Sequence, residues 1–120
     1  MSLEEQVVQE LKKKEFSITT AESCTGGLIS KRITDVSGAS AVFPGGVCSY
    51  ANEIKAGVLG VKTETLDKYT AVSEQTAREM AEGIRRVMGT DIGVSVTGYA
   101  GPGGGTEQDP VGTVYVGVSS

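Results

Sequence analysis

The sequence contains no histidine. That absence removes the Ser-His-Asp triad, the Cys-His dyad and every zinc site that needs an imidazole. Cysteine is scarce too. Cys24 and Cys48 are the only two, too few for a four-cysteine metal site and without C-x-x-C spacing. No apolar run approaches the ~18 residues of a membrane span, and the opening MSLEEQ is acidic, unlike a signal peptide. Basic residues are in deficit, 11 Lys and Arg against 15 Asp and Glu, for a formal net charge of −4. A nonspecific nucleic-acid binder usually shows the opposite balance. The basic clusters Lys12-Lys13-Lys14 and Arg85-Arg86 fall near helix C-termini, where cations suit the dipole. These absences describe a cytoplasmic chain with reduced thiols, no nucleic-acid or membrane partner, and no metal. An enzyme made from it without a metal must take its base from Lys, Tyr, Asp or Glu.

Glycine, by contrast, is abundant: 17 of 120 residues, about twice the usual ~7%. The backbone is often asked for positive φ or close approach. A chain of 120 residues fits one domain, residues 1–120, with one compact core.

Ser2 and Glu5 form an S-x-x-E capping box, and Leu3, Val7, Val8 and Leu11 follow at helical spacing, predicting a helix over 3–14. The alternating FSITT, Phe16 to Thr20, reads as a strand. After AESCTGG (21–27), a second helix runs from Leu28 to about Asp35, and Val36 to Ser40 form a loop. Residues 42–51 read as a strand with an edge or bulge at Pro44-Gly45-Gly46. Asn52 caps a short helix through Leu59, stopped by Gly60, and Thr63 caps another through Lys68. Ser73 opens the clearest helix. Ala77, Met80, Ala81, Ile84, Val87 and Met88 make one apolar stripe, Glu74–Arg78 and Glu82–Arg86 are i,i+4 pairs, and Gly89 ends it. Ile92 to Thr97 is a strand, 98–110 a glycine-rich loop, and Val111 to Ser119 a β-branched strand. The order α-β-α-β-α-α-α-β-β predicts an α/β layered domain with helices covering a mixed sheet. The last strand leaves apolar residues that need cover, an arrangement expected of a fold lacking its C-terminal helix. Such exposed strand faces also invite a homo-oligomer.

Ligands in open α/β sheets gather at the carboxyl ends of strands. Glu22 to Gly27 lies at such an end. Ser23 sits where a nucleophile would benefit from helix N-terminal amides, although the pattern equally suits a plain cap and tight turn. Thr97 to Gly105 is a second such segment; its glycines, among them Gly98, Gly101 and Gly103, allow close approach to a phosphate, yet also suit a surface loop. Lys55, in the first turn of its helix, would be neutral if buried, and a neutral lysine is a general base. Exposed, it is an ordinary surface residue. Cys24 is a candidate thiol nucleophile or a small buried residue, and Cys48 reads as core.

Four blocks now stand in order: TTAESCTGGLISKRITDVSGAS, FPGGVCSYANEIKAGVLGV, AVSEQTAREMAEG and VSVTGYAGPGGGTEQDPVGTVYV. Over residues 5–118 they resemble the C-terminal domain of the CinA family, which includes nicotinamide-nucleotide amidases. The resemblance implies hydrolysis of a small nucleotide, nicotinamide mononucleotide, to nicotinic acid mononucleotide and ammonia, in pyridine-nucleotide recycling, with no organic cofactor. It places the nucleophile on Ser23, the lysine on Lys55 and a neighbouring tyrosine on Tyr50. Lys55 would take the serine proton directly or through Tyr50. Amides of Thr25, Gly26 or Gly27 would hold the oxyanion, and Thr97, Gly98 and the loop with Gly101 and Gly103 would position ribose or phosphate. The resemblance also implies a further strand and a C-terminal helix bearing an active-site arginine, neither of which falls within these 120 residues. A catalytically silent nucleotide-binding module of the same fold is the alternative.

Overall fold

A computed structural model describes residues 1–120. The elements are α1 (Leu3–Lys14), β1 (Ile18–Glu22), α2 (Leu28–Thr34), a 3-10 turn (Ala39–Ala41), β2 (Gly46–Cys48), α3 (Asn52–Gly57), α4 (Thr63–Tyr69), α5 (Glu74–Met88), β3 (Ile92–Gly98) and β4 (Val114–Ser119). The expected α/β order is therefore present. The sheet runs β2-β1-β3-β4; β1 pairs in parallel with β2 and β3, and β4 is antiparallel to β3.

Capping explains the best-defined helices. Ser2 accepts from the Glu5 amide and Glu5 returns the bond, closing the capping box of α1. Ser73 accepts from the Thr76 amide to start α5, and Gly89 ends it at φ 67°. Asn52 and Thr63 do not cap. They are first residues of their helices, after Ala51 and Lys62, and neither start has a side-chain cap bond. Glu74–Arg78 closes as an ion pair, whereas Glu82–Arg86 does not.

Two apolar clusters lie on opposite faces of the sheet. On one, Val8 and Leu11 of α1 and Ile33 of α2 pack with Ile18, Val42 and Phe43. On the other, Met80 and Ile84 of α5 pack with Ala21, Leu59 and Val61. Helix α5 lies close against the sheet because Gly117 leaves room: a Cβ there would come 2.5 Å from the Ala77 carbonyl. The outer face of β4 has no such cover, and Val116 and Val118 are 64% and 69% exposed.

Strand boundaries differ from the sequence reading. β1 lies two residues later than expected. The Phe16 amide still bonds the Leu11 carbonyl as α1 ends, and pairing with β3 runs from Ile18↔Ile92 to Glu22↔Val96. β2 is three residues long because Val42 and Phe43 turn inward into the core. The glycine-rich loop extends through Thr113, shortening the last strand. The strand order places β1 between β2, its next strand in sequence, and β3. Its carboxyl end is thus a point where the winding changes direction, the usual place for a ligand crevice.

Candidate active site

β1 ends at Glu22, and the chain turns at once through Ser23 to Gly27 into α2. The Ser23 amide donates to the Val96 carbonyl at 3.0 Å, and the Gly26 amide donates to the Ser23 carbonyl at 3.1 Å. Gly26 and Gly27 close the turn at φ 63° and 106°, conformations that cost glycine little. Ser23 is held as a buried elbow between strand and helix.

Lys55 of α3 comes to meet it. The side chain is 1% exposed. Its Nζ lies 3.1 Å from Ser23 Oγ, 2.9 Å from the Ser49 carbonyl and 2.9 Å from the Tyr50 carbonyl. All four ion pairs of the protein lie elsewhere, so this amine has no carboxylate partner. Burial pushes the amine below the usual lysine range; the charges of Cys24 and Cys48 pull it back without cancelling the effect. The hydrogen directions depend on its protonation: as an ammonium it donates to all three oxygens. A neutral amine has two N–H groups and one lone pair. Carbonyls only accept, so the two N–H groups go to Ser49 and Tyr50, and the lone pair faces the Ser23 hydroxyl. That is the geometry of a base on a serine nucleophile.

Tyr50 enters differently from expectation. Its ring is 76% exposed, and its carbonyl, not its phenol, touches Lys55. At 3.1 Å, Lys55 and Ser23 are in contact with no phenol between them.

Glu22 is the residue that sequence reasoning missed. It is 1% exposed. Its Oε1 accepts from Thr25 Oγ1 at 2.7 Å and the Ile29 amide at 2.8 Å; Oε2 accepts from the Ser30 amide at 2.8 Å and Ser30 Oγ at 2.6 Å. Burial raises the carboxyl, but the Ser30, Ile29 and Thr25 donors outweigh it and hold the group below the ordinary glutamate value. The amides at the start of α2, expected to face an external anion, therefore already hold Glu22. Of the three proposed oxyanion donors, Gly26 is engaged by Ser23. The amides of Cys24, Thr25 and Gly27 have no oxygen acceptor within the protein.

Thr97 is beside the elbow but turned away from it: its hydroxyl is buried and donates to the Ala71 carbonyl at 2.6 Å. It anchors the segment before α5, so a ribose or phosphate cannot take that donor without breaking the bond. Gly98 pairs with Val114, and a Cβ there would meet the Thr113 carbonyl at 2.5 Å. Gly101 and Gly103 lie on the exposed loop that leaves the same end of the sheet. A cleft of about 640 Å³ between that loop and the start of α5 is walled by Tyr69, Tyr99 and Tyr115 among others, and includes neither Ser23 nor Lys55.

Cys24 is half-buried and Cys48 is exposed, so Cys48 is not core as expected. Its strand is three residues long and lies at the sheet edge. Burial pushes the Cys24 thiol up; its own and the Thr25 amide and the Lys55 charge oppose this without reversing it. A thiol above its ordinary range is a poor source of thiolate. No three His, Cys, Asp or Glu side chains gather as a metal site.

The comparisons with known proteins agree with this frame. The CinA C-terminal domain model matches residues 1–120. A putative competence-damage inducible protein of Thermoanaerobacter pseudethanolicus is 55% identical over 118 residues, 98% of this chain and 29% of its own length. A CinA-like protein of Kosmotoga olearia is 58% identical over 117 residues, 98% of this chain and 28% of its own length. The chain thus spans under a third of these relatives. The crystal structure of the competence/damage inducible protein CihA from Agrobacterium tumefaciens superposes with a TM-score of 0.95 at 41% identity, covering 100% of this chain and 78% of that one. A CinA superfamily protein from Escherichia coli superposes with a TM-score of 0.93 at 34% identity, covering 97% and 67% respectively. With the family model matched from end to end and the fold shared, this chain belongs to the CinA C-terminal domain family.

Proposed function

We propose that the chain is an amidohydrolase that converts nicotinamide mononucleotide and water to nicotinic acid mononucleotide and ammonia in the cytoplasm. The observation that carries the chemistry is the buried, carboxylate-free Lys55 amine 3.1 Å from Ser23 Oγ. The family resemblance supplies the substrate.

In the first half-reaction Ser23 Oγ attacks the carboxamide carbon as its proton passes to the Lys55 lone pair. The carbonyl π pair moves to oxygen, and the resulting oxyanion is held by the amides of Thr25 and Gly27, which have no oxygen acceptor within the protein, with Cys24 as a further donor. The ammonium of Lys55 then protonates the leaving nitrogen, the C–N bond breaks, and ammonia departs. In the second half-reaction Lys55 takes a proton from water. Hydroxide oxygen adds to the acyl carbon, the C–Oγ bond breaks, and the proton returns to Ser23. Lys55 ends as it began, and no cofactor enters. The Ser49 and Tyr50 carbonyls keep the amine aimed at Ser23 in both directions.

Ammonia release from nicotinamide mononucleotide tests this, with the parent chain beside Ser23→Ala and Lys55→Ala. Release by the parent alone is the expected result. No release by the parent, or release that survives Ser23→Ala, overturns it.

A further inference from the structure

The residue before the serine does more than cap a helix. Glu22 is fully buried, yet it has no cationic partner; its four contacts are all with N–H and O–H donors. Three come from the first turns of α2. The fourth, Thr25 Oγ1, comes from inside the elbow that carries Ser23. The main chain of the same residue faces the other way: the Glu22 carbonyl accepts from the Ser49 amide at 2.7 Å and from Ser49 Oγ at 3.4 Å. Ser49 in turn offers its carbonyl to Lys55 Nζ. Residue 22 therefore touches the turn that presents the nucleophile and the segment that aims the lysine.

From this arrangement we propose that Glu22 is the positioning residue of the Ser23–Lys55 pair, its carboxylate fixing the elbow through Thr25 while its carbonyl fixes the lysine through Ser49. The proposal rests on the serine–lysine reading above. Only a carboxylate suits the position. Both of its oxygens face a main-chain N–H, so a glutamine must point its NH₂ at a donor. An aspartate is one methylene short of the same donors. The acidic side chain also complements the positive end of α2, so its loss would loosen the helix and the elbow together. The Thr25 and Ser30 hydroxyls separate these two effects. Thr25→Val removes the bond to the elbow and keeps the carboxylate, the Thr25 amide and the α2 contacts. Ser30→Ala removes a bond to the helix and keeps the elbow.

The test measures two rates on the full chain: steady-state turnover of nicotinamide mononucleotide, and labelling of Ser23 by a fluorophosphonate. In the labelling, Oγ bonds phosphorus, fluoride leaves and Lys55 takes the proton. A displaced nucleophile costs on the order of 10²-fold. The expected result is that Glu22→Gln and Thr25→Val both lose about that factor in kcat and in labelling rate, with KM within about twofold of the parent. Ser30→Ala lowers the melting temperature but keeps both rates. If Glu22→Gln does not fold, Thr25→Val against Ser30→Ala decides alone. Rates that fall equally in those two, in step with their melting temperatures, overturn the proposal and leave Glu22 a helix cap. A parent that labels at Ser23 without turning over the nucleotide overturns the substrate reading, and the labelling rates still decide on Glu22. A parent that does not label at Ser23 overturns both.

Discussion

Lys55 gives the sharpest consequence of the structure, because burial and the lack of histidine together fix what a pH profile must look like. Burial pushes the amine below its usual value of 10.5. The base form is the neutral one, so kcat/KM rises as pH rises through the lysine pKa of the free enzyme and levels off above it. Below the midpoint the rate falls about tenfold per pH unit, the signature of one proton. In many hydrolases such an acid limb would be assigned to imidazole; this chain has none. Removing a general base costs about 10²–10⁴-fold, or about 3–5 kcal/mol of transition-state stabilisation. Lys55→Arg is the informative variant. It places a guanidinium that stays protonated at every pH, so it can only donate toward Ser23 Oγ. The expected outcome is loss of turnover within that range at every pH, with no acid limb. Tyr50→Phe should keep the limb where it is, since the phenol makes no hydrogen bond to either partner, and Cys24→Ala should keep the limb but move it, if anywhere, to lower pH, since the Cys24 charge raises the amine. Initial rates of ammonia release between about pH 6 and pH 10 measure all four proteins. A flat profile, a limb lost in Cys24→Ala, or Lys55→Arg within tenfold of the parent would refute the reasoning.

The same burial links Lys55 to stability. Between its depressed native pKa and 10.5, the unfolded chain binds a proton that the native one does not. Stability therefore rises with pH across that window, and denaturant melts should show a flatter slope there for Lys55→Met. Thr97→Val should lower stability by about 1–3 kcal/mol by leaving the Ala71 carbonyl unpaired, a drop of several degrees in a thermal melt. Ser73→Ala should lose about 1 kcal/mol by removing the α5 cap, readable by the same melt. Iodoacetamide should modify Cys48 before Cys24 in the native protein, because Cys48 is exposed and the Cys24 thiol is raised; peptide mapping after brief labelling decides it.

The helices were legible because their signals are local. The Ser2–Glu5 box, the Ser73 cap and the stripe from Ala77 to Ile84 each sit within one element, while Val87, expected on that stripe, is half exposed. Asn52 and Thr63 carry the right chemistry for caps but stand one position too late, inside their helices. The strand limits were harder, since β1 is set by pairing with β3 and not by its own alternation. At the site, Ser23 and Lys55 were legible as residue types at the expected places, and the missing histidines gave the lysine its significance. Their contact spans 32 positions and depends on the β1–β2 register, Glu22↔Cys48. No local pattern carries that. Glu22 was illegible for a related reason. In a one-dimensional reading an acid at a strand end looks solvated. Only the convergence of Thr25, Ile29 and Ser30 on both oxygens makes its burial affordable.

The central position of β1 accounts for the site as a whole. Its two neighbours hold the two halves of the pair from opposite flanks. β3 fixes Ser23 through the Val96 carbonyl, and the segment after β2 fixes Lys55 through Ser49. Neither residue is placed by the helix that would seem to own it. Helix α3 is six residues long and has no side-chain cap, so its lysine is aimed by carbonyls outside it. Helix α2 has its N-terminal amides on Glu22, so the dipole that would suit an oxyanion instead stabilises the base of the elbow. In the proposed mechanism the oxyanion therefore falls to the turn itself. There the amides of Thr25 and Gly27 have no oxygen acceptor within the protein.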